Sequence, residues 1–265
     1  PTVALTEPVR TESGLVEGVT LASGMRAWLG VPFAAPPVRE LRWKAPQPAP
    51  RWDGVFHADR PAPMCLQTLR TRTMNHYFGN EAISEDCLHL NIWSPPAAQK
   101  LPVIVWIYGG GFNVGSASMA NYSGARLARD GVVRVNLAYR LGALGFLAHP
   151  DLTRESGYSG SGNYGLMDLV AGLQWVQRNV AAFGGDPGNV TIAGQSAGST
   201  AVALLQASPL AHGLFHKAVG MSGSPFGEPM NAATLAQGEA EGLALQNALG
   251  AKSIEDLRDM GGDRI

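Results

Sequence analysis

Net charge is almost absent from this 265-residue sequence, at −1 with histidine neutral. That balance argues against a nucleic acid or an anionic membrane surface as partner. Long hydrophobic runs are missing too. No stretch reaches the roughly 18 residues that a membrane-spanning helix needs, and the longest clean run, 101–108, reads as a strand. Cysteine is confined to Cys65 and Cys87. The two thiols make a poor zinc site. They leave two alternatives, a disulfide closing a surface loop, which is favoured, or free structural thiols. A disulfide would point to a secreted or periplasmic setting rather than the cytoplasm. Internal repeats, linkers and low-complexity tracts are also lacking. The sequence starts at Pro1 rather than Met, which is read as trimming of a leader or of a longer chain.

What is present is a large apolar fraction, 45%, enough for a sizeable core. The 33 glycines and 18 prolines are interleaved with strong apolar runs, so they imply tight turns and not disorder. Short strand-like pieces fall in 13–33, followed by an irregular proline-rich segment over 34–64. Strands are expected at 88–93, 103–107, 132–138, 190–193 and 215–221. Helices are expected at 123–129, 163–182, 197–206, 232–249 and 254–260, the last with Ser253-x-x-Asp256 as a capping box. The near-continuous apolar run 103–107 reads as a strand buried on both faces of a parallel sheet. Strands alternating with helices predict an α/β fold with a mostly parallel, doubly wound sheet and a small N-terminal β segment.

Ser196 carries the chemistry. It lies in Gly194-Gln195-Ser196-Ala197-Gly198, between the β-branched run 190–193 and an Ala/Leu-rich helix that must end before Pro209. Strand, sharp turn with serine at its apex, helix: this is the context that makes G-x-S-x-G a nucleophile elbow. Side chains at Gly194 or Gly198 would collide with the neighbouring strand and helix. A serine that attacks a carbonyl also needs N–H donors aimed at the oxygen that becomes negative. Gly109-Gly110-Gly111 follows the strand 103–107 directly, and consecutive glycines leave the backbone N–H groups unshielded. Paired with the elbow, this run is no plain flexible turn. Gly160-x-Gly162-x-x-Gly165 also satisfies a dinucleotide fingerprint, but residues 150–159 read as polar and turn-like where that fingerprint requires a strand.

The chain resembles the N-terminal half of the type B carboxylesterases, the family that includes the cholinesterases, within the α/β-hydrolase fold. The stretch from Phe183-Gly184-Gly185-Asp186-Pro187 through Gly198 matches the family's nucleophile signature, and Glu85-Asp86-Cys87-Leu88-His89-Leu90-Asn91-Ile92-Trp93-Ser94-Pro95 matches its second signature. The segments 30–37, 139–146 and 162–168 agree in collinear order. The resemblance implies Ser196 as nucleophile and Gly110, Gly111 and Ala197 as oxyanion donors. It implies Ser222 as a serine lying behind the catalytic acid, Arg42 with Glu85 and Arg140 with Asp168 as structural ion pairs, and Cys65 with Cys87 as the family's first disulfide loop. It also implies a small-molecule carboxylic ester as substrate, with no metal or organic cofactor.

Two departures bear on the substrate. Gln195 stands where cholinesterases carry Glu, which weakens the case for a cationic substrate. The loop 66–86 has no Trp, so Tyr77 and Phe78, together with Phe112, are the candidates for lining a substrate pocket. The acid and histidine of a triad should follow the serine in that order. Only His212 and His216 follow Ser196, too close to it and with no separate acid strand before them. Residues 1–265 are therefore expected to form a single, incomplete α/β-hydrolase domain, with acid and histidine supplied by a C-terminal remainder. The competing reading is a non-catalytic adhesion or binding protein, or an inactive fragment, on the same fold.

Overall fold

The computed structural model describes residues 4–68, 82–226 and 232–265. Its central sheet has eight strands: β1 (Ala4–Leu5), β2 (Val19–Thr20), β3 (Arg26–Pro32), β4 (His89–Ser94), β5 (Leu101–Ile107), β6 (Val133–Leu137), β7 (Gly185–Gln195) and β8 (Lys217–Met221). They lie in the order β1-β2-β3-β4-β6-β5-β7-β8. The run β6-β5-β7-β8 is parallel. The run from β1 to β4 is antiparallel throughout, and β4 meets β6 antiparallel. The fold is α/β with a mixed sheet. Within this sheet, parallel pairing is confined to the four strands after residue 100; the expected N-terminal β segment extends it with β2 and β3, while Val9–Arg10, Leu15–Glu17 and Val55–His57 form a separate three-stranded sheet. Connection chemistry explains the division. Parallel neighbours need a long crossover, whereas a short turn suffices for an antiparallel pair such as β2 and β3.

Seven helices are described: α1 (Ala125–Arg129), α2 (Gly142–Phe146), α3 (Pro150–Glu155), α4 (Tyr164–Asn179), α5 (Ala197–Ala207), α6 (Leu235–Ala248) and α7 (Ile254–Asp259). The long helix α4 buries Leu169, Leu173, Trp175 and Val176 in the core shared with the sheet. Val103, Val105 and Ile107 of β5 are fully buried, as their unbroken apolar pattern requires. Helix α3 takes the first six residues of the turn expected at 150–159, and 156–159 keep to turn and bend. Its cap is unusual: the His149 ring Nδ1 accepts from the Asp151 N–H at 3.1 Å, and Pro150 occupies the first turn. At α7 the Ser253 hydroxyl accepts from the Asp256 N–H as expected, but the Asp256 carboxylate turns to the Lys252 N–H at 2.7 Å, one residue before the cap. A reciprocal capping box forms instead at α6, between Thr234 and Gln237.

Both expected ion pairs are present. Arg42 holds Glu85 in a two-point bond of 2.8 and 2.6 Å, and its other arm donates to the carbonyls of Leu257 and Met260, fastening α7 to the N-terminal half. Arg140 grips Asp168 on α4 through two guanidinium bonds and its own backbone N–H. Arg134, a cation in the buried strand β6, also finds its place. Its Nε donates to Asn136 at 2.8 Å and its guanidinium lies 4.8 Å from the Trp106 ring centre. Burial lowers its pKa to about 10.

Candidate active site

Strand β7 ends at Gln195 and α5 begins at Ala197, so Ser196 alone makes the turn. Its backbone sits at φ 56° and ψ −125°, a conformation that a residue with a Cβ adopts only when its surroundings impose it. Two bonds impose it: the Ser196 N–H donates to the Met221 carbonyl at 2.8 Å, and the Ser196 carbonyl accepts from the Thr200 N–H at 3.0 Å. The flanking glycines are steric necessities. A Cβ on Gly198 would lie 2.1 Å from the Ile107 oxygen, and one on Gly194 would lie 2.3 Å from the Gly198 oxygen. The turn therefore presses α5 directly onto the end of β5, with Ser196 half-buried at the junction.

The triple-glycine loop reaches the same place from β5. A Cβ on Gly109 would stand 2.5 Å from the Gln195 oxygen and 2.9 Å from Ser196 Cβ, so loop and elbow touch. The Gly110 carbonyl turns back to accept the N–H groups of Asn113 and Val114, both at 3.1 Å. The N–H groups of Gly110 and Gly111 take no hydrogen bond among the described residues. Ala197 opens α5 and carries a first-turn N–H with no partner inside the helix. Unpaired donors thus belong to a loop that touches the serine at Gly109, and the positive end of a helix lies directly behind it.

Sequence reasoning missed what steadies this loop. Tyr108 and Tyr139 are buried at the ends of adjacent strands β5 and β6, their rings stacked at 4.6 Å. The Tyr139 hydroxyl donates to the Tyr108 carbonyl at 2.7 Å, and the Tyr108 hydroxyl donates to the Tyr139 carbonyl at 3.3 Å. Burial pushes both phenols above their usual range. In sequence the pair reads only as two strand-end aromatics.

The other candidates are spread around the elbow. Gln195 is half-buried at the end of β7, its amide oxygen within 3.1 Å of where a Gly109 Cβ would stand. Ser222 follows β8 at φ 55°, next to the Met221 carbonyl that holds the Ser196 N–H. The hydroxyl that ties α5 to this segment is that of Ser199, which donates to the Gly223 carbonyl at 2.8 Å. Phe112 packs 5.1 Å from Phe146 and lines a cleft of about 540 Å³ with Leu166, Met167, Thr200 and Leu204. Tyr77 and Phe78 lie outside the described residues. Cys65 and Cys87 form a disulfide. His216 pairs through ring and backbone with Val190 at the far end of β8, about five residues, or about 17 Å, from the end where Ser196 sits.

This geometry agrees with the family comparison. The carboxylesterase family model matches residues 6–259. The chain belongs to the carboxylesterase family. Among its curated relatives, it is 48% identical to a fumonisin B1 esterase of Sphingopyxis macrogoltabida over 94% of this chain and 45% of that protein. It is 44% identical to a para-nitrobenzyl esterase of Bacillus subtilis (strain 168) over 82% of this chain and 43% of that one. A cholinesterase of Mus musculus matches at 42% identity, over 82% of this chain and 37% of its own length. A solved PNB esterase structure superposes with a TM-score of 0.86 at 39% identity, covering 97% of this chain and 52% of that one. As a carboxylesterase-family member, the chain spans about half the length of the relatives it matches.

Proposed function

We propose that this chain supplies the nucleophile half of a serine carboxylic-ester hydrolase. Ser196 Oγ attacks the ester carbonyl, and the developing oxyanion is received by the N–H groups of Gly110, Gly111 and Ala197. The alcohol departs, and water then hydrolyses the acyl-enzyme. The base that takes the Ser196 proton, and the acid that orients it, come from a C-terminal remainder outside residues 1–265. The observation that carries this reading is the contact between a serine at φ 56° and a glycine loop whose N–H groups are unpaired.

Strand β8 supports the C-terminal partner. It is the outer strand of the sheet, and beside it Val219, Met221 and Phe226 are exposed by 44%, 38% and 86%. Residues 1–265 are then one incomplete domain. The relatives' names, which specify a fumonisin, a nitrobenzyl ester and choline esters, share only the carboxylic ester as chemistry, and that is the substrate class proposed. Neutral Gln195 argues against a preference for cationic esters, and Phe112 with its cleft would contact the bound ester. The disulfide favours a secreted or periplasmic setting. No helix among the described residues is long and apolar enough to cross a membrane. A non-catalytic binding role is the weaker reading, because nucleophile and glycine loop are both intact.

The test is Ser196→Ala in the chain joined to its C-terminal continuation. Hydrolysis of p-nitrophenyl acetate should fall by about 10⁴-fold or more, and an acyl adduct should map to Ser196 in the parent protein. Hydrolysis unchanged by the substitution would overturn the proposal.

A further inference from the structure

We infer that Gln67 is a positioning residue for the oxyanion loop, holding the Gly109–Gly110 peptide in the orientation that aims its N–H at the substrate. The kinetic consequence rests on the ester-hydrolase reading above; the mechanical one does not. Gln67 follows two residues after Cys65, whose disulfide to Cys87 is buried in the core. Its side-chain amide behaves as a strand partner would. Nε2 donates to the Gly115 carbonyl at 2.8 Å, and Oε1 accepts from the Gly115 N–H at 2.9 Å. The second Nε2 hydrogen goes back to the Cys65 carbonyl at 3.0 Å, so the amide cannot flip without losing its partners.

Gly115 is the far end of the glycine loop and lies directly on its start. At φ 126° a Cβ there would meet the Gly109 oxygen at 2.7 Å and the Tyr108 ring at 2.6 Å. The Gly109 oxygen and the Gly110 N–H belong to one planar peptide and point in opposite directions. Whatever fixes the oxygen side of that plane therefore fixes the donor side. Gln67 fixes Gly115, Gly115 backs the Gly109 oxygen, and the Gly110 N–H is left facing the elbow. The tether is covalent on the other side, because the disulfide anchors the backbone from which Gln67 reaches.

Two variants test this. Gln67→Met keeps the length of the side chain and removes all three hydrogen bonds. Gln67→Glu keeps an acceptor for the Gly115 N–H but sets a carboxylate against the Gly115 carbonyl. In the chain joined to its C-terminal continuation, both should lower kcat for p-nitrophenyl acetate about 10- to 100-fold, the scale of a small misplacement at a reacting centre, with KM within about twofold. The ratio of Gln67→Glu to parent kcat should rise as pH falls through the carboxylate range near about 4.3, where the protonated acid regains a donor. A purely structural role would not produce that recovery. Independently of catalysis, amide hydrogen exchange in residues 109–115 of the 265-residue chain should quicken in Gln67→Met. A folded Gln67→Met protein with parent kcat, or with unchanged exchange in that segment, overturns the inference. A parent protein that hydrolyses no ester overturns the ester-hydrolase reading instead, and leaves the exchange measurement to decide the hold of Gln67 on the loop.

Discussion

The two flanks of Ser196 are built to different standards. On the β5 side Ser196 meets a loop stiffened from beneath by the buried Tyr108–Tyr139 pair and folded back by Gly110 onto Asn113 and Val114. On the β8 side it meets the outer strand of the sheet, with Val219 and Met221 facing outward and Phe226 exposed just beyond. One flank is packed like a core and the other like half of an interface. Stabilising an oxyanion depends on donors that are in place before the reaction, and the Gly110 and Gly111 N–H groups proposed for that task sit on the packed flank. Proton transfer depends on a base and an acid, and the flank that would receive them is open. The proposed mechanism would thus divide into two parts along this structural boundary.

That contrast can be broken most severely at the elbow. Gly198→Ala puts a methyl 2.1 Å from the Ile107 oxygen, a backbone atom that cannot yield without parting α5 from β5. It should abolish soluble folded protein or cost more than about 4 kcal/mol, as read by soluble yield and denaturant unfolding. Tyr139→Phe is milder and more informative. It leaves the buried Tyr108 carbonyl without its 2.7 Å donor, which should cost about 1–3 kcal/mol of stability. Because Tyr108 immediately precedes the glycine loop, kcat should drop with KM little changed. Val219→Ser on the open flank should move the stability of the isolated chain by less than about 0.5 kcal/mol. If that flank receives the C-terminal remainder, the same substitution should weaken association of the two pieces measured by titration calorimetry.

The elbow was legible in the sequence because each part of it is local. A β-branched run, a glycine-flanked serine and an Ala/Leu run follow one another without a break, and the structure adds only the identity of the atoms that the glycines avoid. The parallel strands were legible for the same reason. What was not legible depends on distant partners or on atypical residues in familiar roles. Helix α3 is capped by a histidine ring in place of Ser, Thr, Asp or Asn, so Pro150 and Asp151 alone marked its start. Arg134 takes its surroundings from Trp106 on the neighbouring strand and from Asn136 two residues along, and no spacing in the sequence marks the first of these. The Tyr108–Tyr139 lock and the Gln67 contacts join residues far apart in the chain, and neither has a spacing that announces it. The antiparallel half of the sheet was under-read because its outermost strands, β1 and β2, are two residues each, too short for alternation to register.

The most direct test of the proposed division, with oxyanion donors inside residues 1–265 and the base outside them, is the rate at which a fluorophosphonate labels Ser196. Labelling should be slow for the 265-residue chain alone and rapid and stoichiometric at Ser196 once the C-terminal continuation is present. Rapid labelling of the isolated chain would contradict that division, because a base competent to activate Ser196 would then lie within residues 1–265.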